Sequence, residues 1–278
     1  MYYFDLLRVG RALRVYAIIL FSIVLIELVS MPFSHVGKHD FTIGINGDSI
    51  KAHAFTGIGL LHELGQTIHI PFTLLCAAAA FEAVLFATAI STSLARYNGN
   101  LHFTFTKPVS RERATLTTIA IDFAAIAVAI VIALVAEFVP LAVVGLLDRI
   151  TYDPSAVAAI LIGLGIAFMW YGMIQAATSL MRGGAGIVAG LSWAVFATLG
   201  ALEGLTPQYV PGFIVDAIHA LNTLNPQLYL TTLFSRVSYA DPVRNAFGGG
   251  YMQDLTIVWV TALVAVAIAL GLRRRMEA

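Results

Sequence analysis

Four carboxylic acids stand inside apolar runs of this chain: Glu27, Glu82, Asp122 and Glu137. A charge at membrane depth is costly and ordinarily faces a cavity or a partner. Glu82 and Asp122 fall nearest the middle of their runs, so they are candidates to line a translocation path or to exchange protons. The competing reading is structural, with each acid held by hydroxyls or by an arginine turned toward the helices. Glu27 and Glu137 lie closer to the ends of their runs, where a side chain can reach the interface.

Other groupings that could do chemistry are weaker. Six of the seven histidines, His35, His39, His53, His62, His69 and His219, fall between apolar runs on one side of the pattern. Imidazole binds transition metals, but only His35 and His39 share a short spacing, so no metal site is expected. The stretch from His62 to Gln66 begins like HExxH and ends in Gln, which removes the second zinc ligand. Ser179 and Ser192 have no GxSxG setting. The single cysteine, Cys76, sits in an apolar run and excludes a disulfide framework.

The elements that must carry these residues follow from composition. Of the 278 residues, 59% are hydrophobic and 12% charged, and the mean hydropathy is +0.86. Soluble domains sit near 45–50% and about 25%. Sixteen basic and sixteen acidic residues balance to zero, which excludes a basic nucleic-acid binder. A crossing helix needs about 20 apolar residues. Six runs qualify, at 15–33, 71–95, 114–147, 155–180, 185–202 and 255–272. Backbone groups in lipid must be satisfied internally, so these are helices. The expected fold is an all-α integral membrane protein with six transmembrane helices forming one domain over 1–278. Pro140 marks the expected bend in the long third run. The first run lacks a clear cleavage site and reads as a retained span.

Charge orients the spans. With the N-terminus inside, the inner segments hold eleven basic residues against three acids, and the outer segments five against nine. The positive-inside rule therefore gives both termini on the cytoplasmic side.

The connecting segments are also legible. Residues 1–14 mix Phe4, Leu7 and Leu13 with Arg8, Arg11 and Arg14, the pattern of an interfacial helix whose arginines meet anionic headgroups. Outer segment 34–70 contains Asn46-Gly47-Asp48 between β-prone runs, a hairpin pattern. Outer segment 203–254 holds two short apolar stretches around Asn225-Pro226, read as a re-entrant helical pair before the last span. Gly186 and Gly190, and again Gly200 and Gly204, have the spacing that lets helices approach closely.

The inner loop 96–113 is the most informative. It carries Leu101, Phe103 and Phe105, is stopped by Pro108, and restarts at Ser110, a plausible N-cap. A compact apolar and basic element facing the cytoplasm suits docking to a soluble partner. Here the chain resembles the permease subunits of type-2 ABC exporters. Their loop typically has acids, then Gly-Thr-Leu-Glu, four apolar or small residues, and a (Ser/Thr)-(Lys/Thr)-Pro-(Val/Ile)-Ser-Arg ending. Gly99-Asn100-Leu101-His102 and Thr106-Lys107-Pro108-Val109-Ser110-Arg111 sit at that spacing. Tyr97, Asn98, Asn100 and His102 depart from the pattern. The N-terminal helix, the six spans and the broken outer segment match the family's architecture.

The resemblance implies that the loop is a coupling helix in the cleft of a separate ATP-binding subunit. Gly99, Leu101, His102, Phe103, Phe105, Lys107, Pro108, Val109, Ser110 and Arg111 would make that contact. ATP and Mg would sit on the partner, because this sequence has no GxxxxGK[ST] loop. The closest stretch, Gly59 to Thr67, has the wrong spacing and Gln66 where lysine must reach phosphate. The chain is therefore expected not to be an enzyme and to carry no cofactor. A second permease copy or paralogue, the lipid bilayer and the ATPase are the expected partners, in the cytoplasmic (inner) cell membrane. The alternative is an ion-coupled secondary transporter that uses Glu82 and Asp122.

Overall fold

The computed structural model describes residues 2–30, 40–45, 48–53, 70–98, 111–152, 155–178, 185–202, 211–239 and 249–276. These are almost entirely helical. Helix α1 spans Tyr2–Ser30, α2 Phe72–Asn98, α3 Arg111–Val144, α4 Ser155–Thr178 and α5 Ala185–Leu202. Two short helices, α6 (Gly212–Asn222) and α7 (Pro226–Tyr239), precede α8 (Gly249–Met276). Strands β1 (Asp40–Ile45) and β2 (Asp48–His53) pair antiparallel with Ile43 opposite Ile50, and residues 46–47 between them lie outside the described residues. Strands β3 (Ile70–Pro71) and β4 (Ile150–Thr151) form a short parallel pair that ties the start of α2 to the segment after α3.

Five helices, α1, α2, α3, α4 and α8, are long and apolar enough to cross a membrane. The chain is a multi-pass membrane protein. The sixth expected run, α5, is shorter: its 18 residues rise about 27 Å at 1.5 Å each, just under the roughly 30 Å of a hydrocarbon core.

The boundaries have local causes. Pro71 has no N–H to contribute and immediately precedes α2. Helix α3 continues past Pro140 and ends four residues later at a Schellman motif. Gly145 takes a φ of 75°, its N–H donates to the Ala142 carbonyl at 3.2 Å, and Leu146 N–H donates to Leu141 at 2.9 Å. Leu146 and Leu141 then pack together beneath the turn. One difference from the sequence reading concerns α1. The interfacial helix and first span expected as separate pieces form a single unbroken helix through Val15.

Helix α4 is the centre of the bundle. It packs most extensively on α8 and α2, and Trp170, Tyr171, Ile166 and Met169 are fully enclosed. The approach is close because α4 presents glycine at the contacts. A Cβ added at Gly163 would stand 2.4 Å from the Ala80 Cβ, and one at Gly165 2.8 Å from Val258 Cγ1. Gly165 meets Val258 and Gly172 meets Ala265, so α4 and α8 run parallel. Helix α1 packs mainly on α3 and joins this core through Val9. Its inward face carries Val9 and Leu20, while Ile18, Leu25 and Ile26 point outward.

Candidate functional site at one end of the bundle

Asp122 is fully buried on α3, and its two carboxylate oxygens are taken by different helices. Arg8 of α1 forms an ion pair with Oδ1. The Tyr171 hydroxyl of α4 donates to Oδ2 at 2.7 Å. The other terminal nitrogen of Arg8 donates to the Ile90 carbonyl of α2 at 3.4 Å. One turn earlier along α1 and α3, the Thr118 hydroxyl donates to Asp5 at 3.2 Å, with both residues buried. Beside this, the Gln175 amide of α4 donates to the Ser91 carbonyl at 3.3 Å. Four helices thus meet at one charged centre.

The centre is built from side chains of α1 (Asp5, Arg8), α3 (Thr118, Asp122) and α4 (Tyr171, Gln175), with α2 contributing the backbone carbonyls of Ile90 and Ser91. Taking two charges out of water costs several kcal/mol per ion, repaid only when every charged atom is well engaged. A planar guanidinium suits the task, since its fork serves two acceptors at once. The arginine side chain is 11% exposed and Asp122 0%, so the pair sits within protein and away from the surface. The site is placed where α1 starts, α2 and α4 end, and α3 begins. Helix α8, parallel to α4, ends on the same side.

Of the acids singled out from sequence, Asp122 therefore belongs to an interhelical ion pair. Glu82 on α2 and Glu137 on α3 are partly buried, and both act electrostatically on the Tyr16 hydroxyl of α1. Asp122 and Glu82 occupy separate polar layers along the bundle. Glu27 lies on α1. The loop residues Gly99, Leu101, His102, Phe103, Phe105, Lys107, Pro108, Val109 and Ser110 fall outside the described residues, and Arg111 opens α3. His53 ends β2 and His219 is exposed on α6, while His35, His39, His62 and His69 lie outside the described residues. Among the described residues no group of three or more His, Cys, Asp or Glu could hold a metal. The Ser192 hydroxyl donates to the Val188 carbonyl of its own helix at 2.7 Å.

Sequence reasoning assigned Arg8 to lipid headgroups; in the structure it turns inward, while Arg11 and Arg14 remain exposed. Tyr171 was not singled out at all. The available clue was the acid itself, since an intramembrane carboxylate demands a partner.

A second set of polar contacts fixes the α6–α7 break. Three amide side chains reach carbonyls along one side of α5. Asn222 donates to Leu199 at 3.1 Å, Asn225 to Phe196 at 3.0 Å and Gln227 to Trp193 at 3.2 Å. Asn225 also accepts from the Gln227 N–H at 3.0 Å, closing the turn in front of Pro226. The Tyr229 hydroxyl donates to the Thr223 carbonyl at 2.8 Å. Burial pushes the Tyr229 phenol up, and the charge of Asp254 pushes it the same way. Above this clasp, Thr88 accepts from Trp170 Nε1 at 2.6 Å and from Trp193 Nε1 at 3.4 Å, joining α2, α4 and α5.

No family model, no curated protein and no solved structure matches the chain.

Proposed function

We propose that this chain is the membrane-spanning permease subunit of an ATP-binding-cassette exporter, driven by a separate ATPase subunit. The observation that carries the reading is the segment between α2 and α3. Its Thr106-Lys107-Pro108-Val109-Ser110-Arg111 ending follows Gly99-Asn100-Leu101-His102 at the family's spacing. Helix α2 ends at Asn98 and α3 starts at Arg111, so this segment leaves the bundle at one end. The charge pattern supports putting that end in the cytoplasm, together with both chain termini. In this reading α5 is the sixth span, and α6 and α7 dip into the outer leaflet before α8 returns.

The mechanism follows from the placement of the loop. Nucleotide-driven closure of the ATPase subunits moves residues 99–111, and α2 and α3 carry that movement into the bundle. The chain has no phosphate-binding loop of its own, so the energy enters through the partner. Gly186 and Gly190 on α5 have nothing among the described residues within 4 Å of an added Cβ, which suits a second permease copy or paralogue there.

The alternative, an ion-coupled transporter using Glu82 and Asp122, draws less support, because Arg8 and Tyr171 already engage both oxygens of Asp122. Purification from native membranes tests the reading. A stoichiometric ATPase subunit should accompany the chain and be lost on Leu101→Asp or Arg111→Glu. Proton-dependent uptake by the chain alone in liposomes, abolished by Glu82→Gln, would favour the alternative.

A further inference from the structure

The Arg8 guanidinium touches two helices at once, and those two helices flank the loop. Its ion pair is with Asp122 on α3, and its second nitrogen meets the Ile90 carbonyl on α2. Ile90 lies eight residues before the end of α2 and Asp122 eleven after the start of α3. At 1.5 Å per residue the contact is about 12 Å and about 16 Å from the two helix ends. Tyr171 fixes the far oxygen of Asp122 from α4, so the carboxylate cannot follow Arg8 freely if α1 shifts. The Asp5–Thr118 contact holds the same turn of α1 against α3.

From this arrangement we infer that Arg8 is a positioning residue: it clamps α2 to α3 and sets the separation of the two helix ends from which residues 99–110 depart. Three observations support it independently of what docks at that loop. The clamp comes from α1, which packs mainly on α3 and only slightly on α2, so the Ile90 contact reaches a helix that α1 otherwise barely touches. Arginine, unlike lysine, has separate nitrogens for the two acceptors. Two other α1 arginines, Arg11 and Arg14, are exposed, so only Arg8 of the three is drawn inward.

The clamp gives α1 a function in the loop's geometry. Any force that displaces α1 loosens the α2–α3 spacing, and any force on the loop that spreads the helices must break the Arg8 contacts. The inference stands whether or not the loop binds an ATPase, and its test uses this chain alone.

Spin labels at Thr92 on α2 and Arg113 on α3, in full-length protein in lipid nanodiscs, read the separation directly. A second pair at Leu7 and Leu116 reads the attachment of α1 to α3. The account expects a narrow distance distribution for both pairs in the parent protein. Arg8→Lys should at least double the width for the 92–113 pair while leaving the 7–116 pair narrow, because a single nitrogen cannot stand at both positions that the two guanidinium nitrogens occupy. Arg8→Ala should broaden both pairs. The exchange Arg8→Asp with Asp122→Arg should restore the 7–116 pair. An unchanged 92–113 distribution in Arg8→Lys, whether or not Arg8→Ala folds, overturns the inference.

Discussion

Tyr171 and Asp122, 49 residues apart and on neighbouring helices, are joined by a buried 2.7 Å hydrogen bond. The bond leaves the other carboxylate oxygen for Arg8, so both oxygens of the acid are engaged by side chains of other helices. Removing one partner from such a pair strands a charge and costs about 3–5 kcal/mol. Asp122→Ala should therefore lower unfolding stability by about that amount, measured by denaturant titration in mixed micelles. Tyr171→Phe, which removes one hydrogen bond to a charged group, should cost about 1.5–3 kcal/mol.

The glycines of α4 divide from those of α5 in a way that can be measured. Gly163→Ala places a methyl 2.4 Å from the Ala80 Cβ and should destabilise by about 1–3 kcal/mol. Ala80→Gly in the same chain should recover most of that loss. Gly190→Ala, where nothing among the described residues lies within 4 Å, should not lower the isolated protomer's thermal midpoint.

The amide clasp predicts a local effect. Asn225→Ala removes the donor to the Phe196 carbonyl and the acceptor for the Gln227 N–H. Hydrogen exchange should accelerate in α6 and α7 while α4 stays protected. The expected local cost is about 1–3 kcal/mol.

Tyr229 gives the fold an alkaline limit. Its phenol is held above the ordinary value of 10.0, so the folded state favours the neutral hydroxyl that donates to Thr223. That stabilisation is fully present below the ordinary value and is lost as pH rises through the folded one. The difference in stability between the parent and Tyr229→Phe should shrink as pH rises above the ordinary phenol value of 10.0. A constant difference through that rise would remove the hydroxyl from the account.

Helix positions were readable from the sequence because apolar length is a one-dimensional property. Pro71 placed the start of α2 and the run at 155 placed α4, each within a residue of the structure. The ion pair was not readable. Arg8, Arg11 and Arg14 recur every three residues, which looks like one basic face meeting headgroups. Only the packing of α1 on α3 separates Arg8 from the other two, and its partner lies 114 residues away. Asn225-Pro226 announced a helix break, but nothing in its spacing said that the freed amides would meet carbonyls of α5. The central place of α4 came from Gly163, Gly165 and Gly172, whose meaning depends on Ala80, Val258 and Ala265 standing opposite.

The central claim is that residues 99–111 deliver an ATPase's motion to α2 and α3. A photo-crosslinking residue at Phe103, activated in native membranes, tests it most directly. The account predicts one dominant adduct to a protein carrying a GxxxxGK[ST] loop, lost on Arg111→Glu and absent when the probe is at Leu191 on α5. No such adduct at Phe103, together with transport by the chain alone in liposomes, would contradict it.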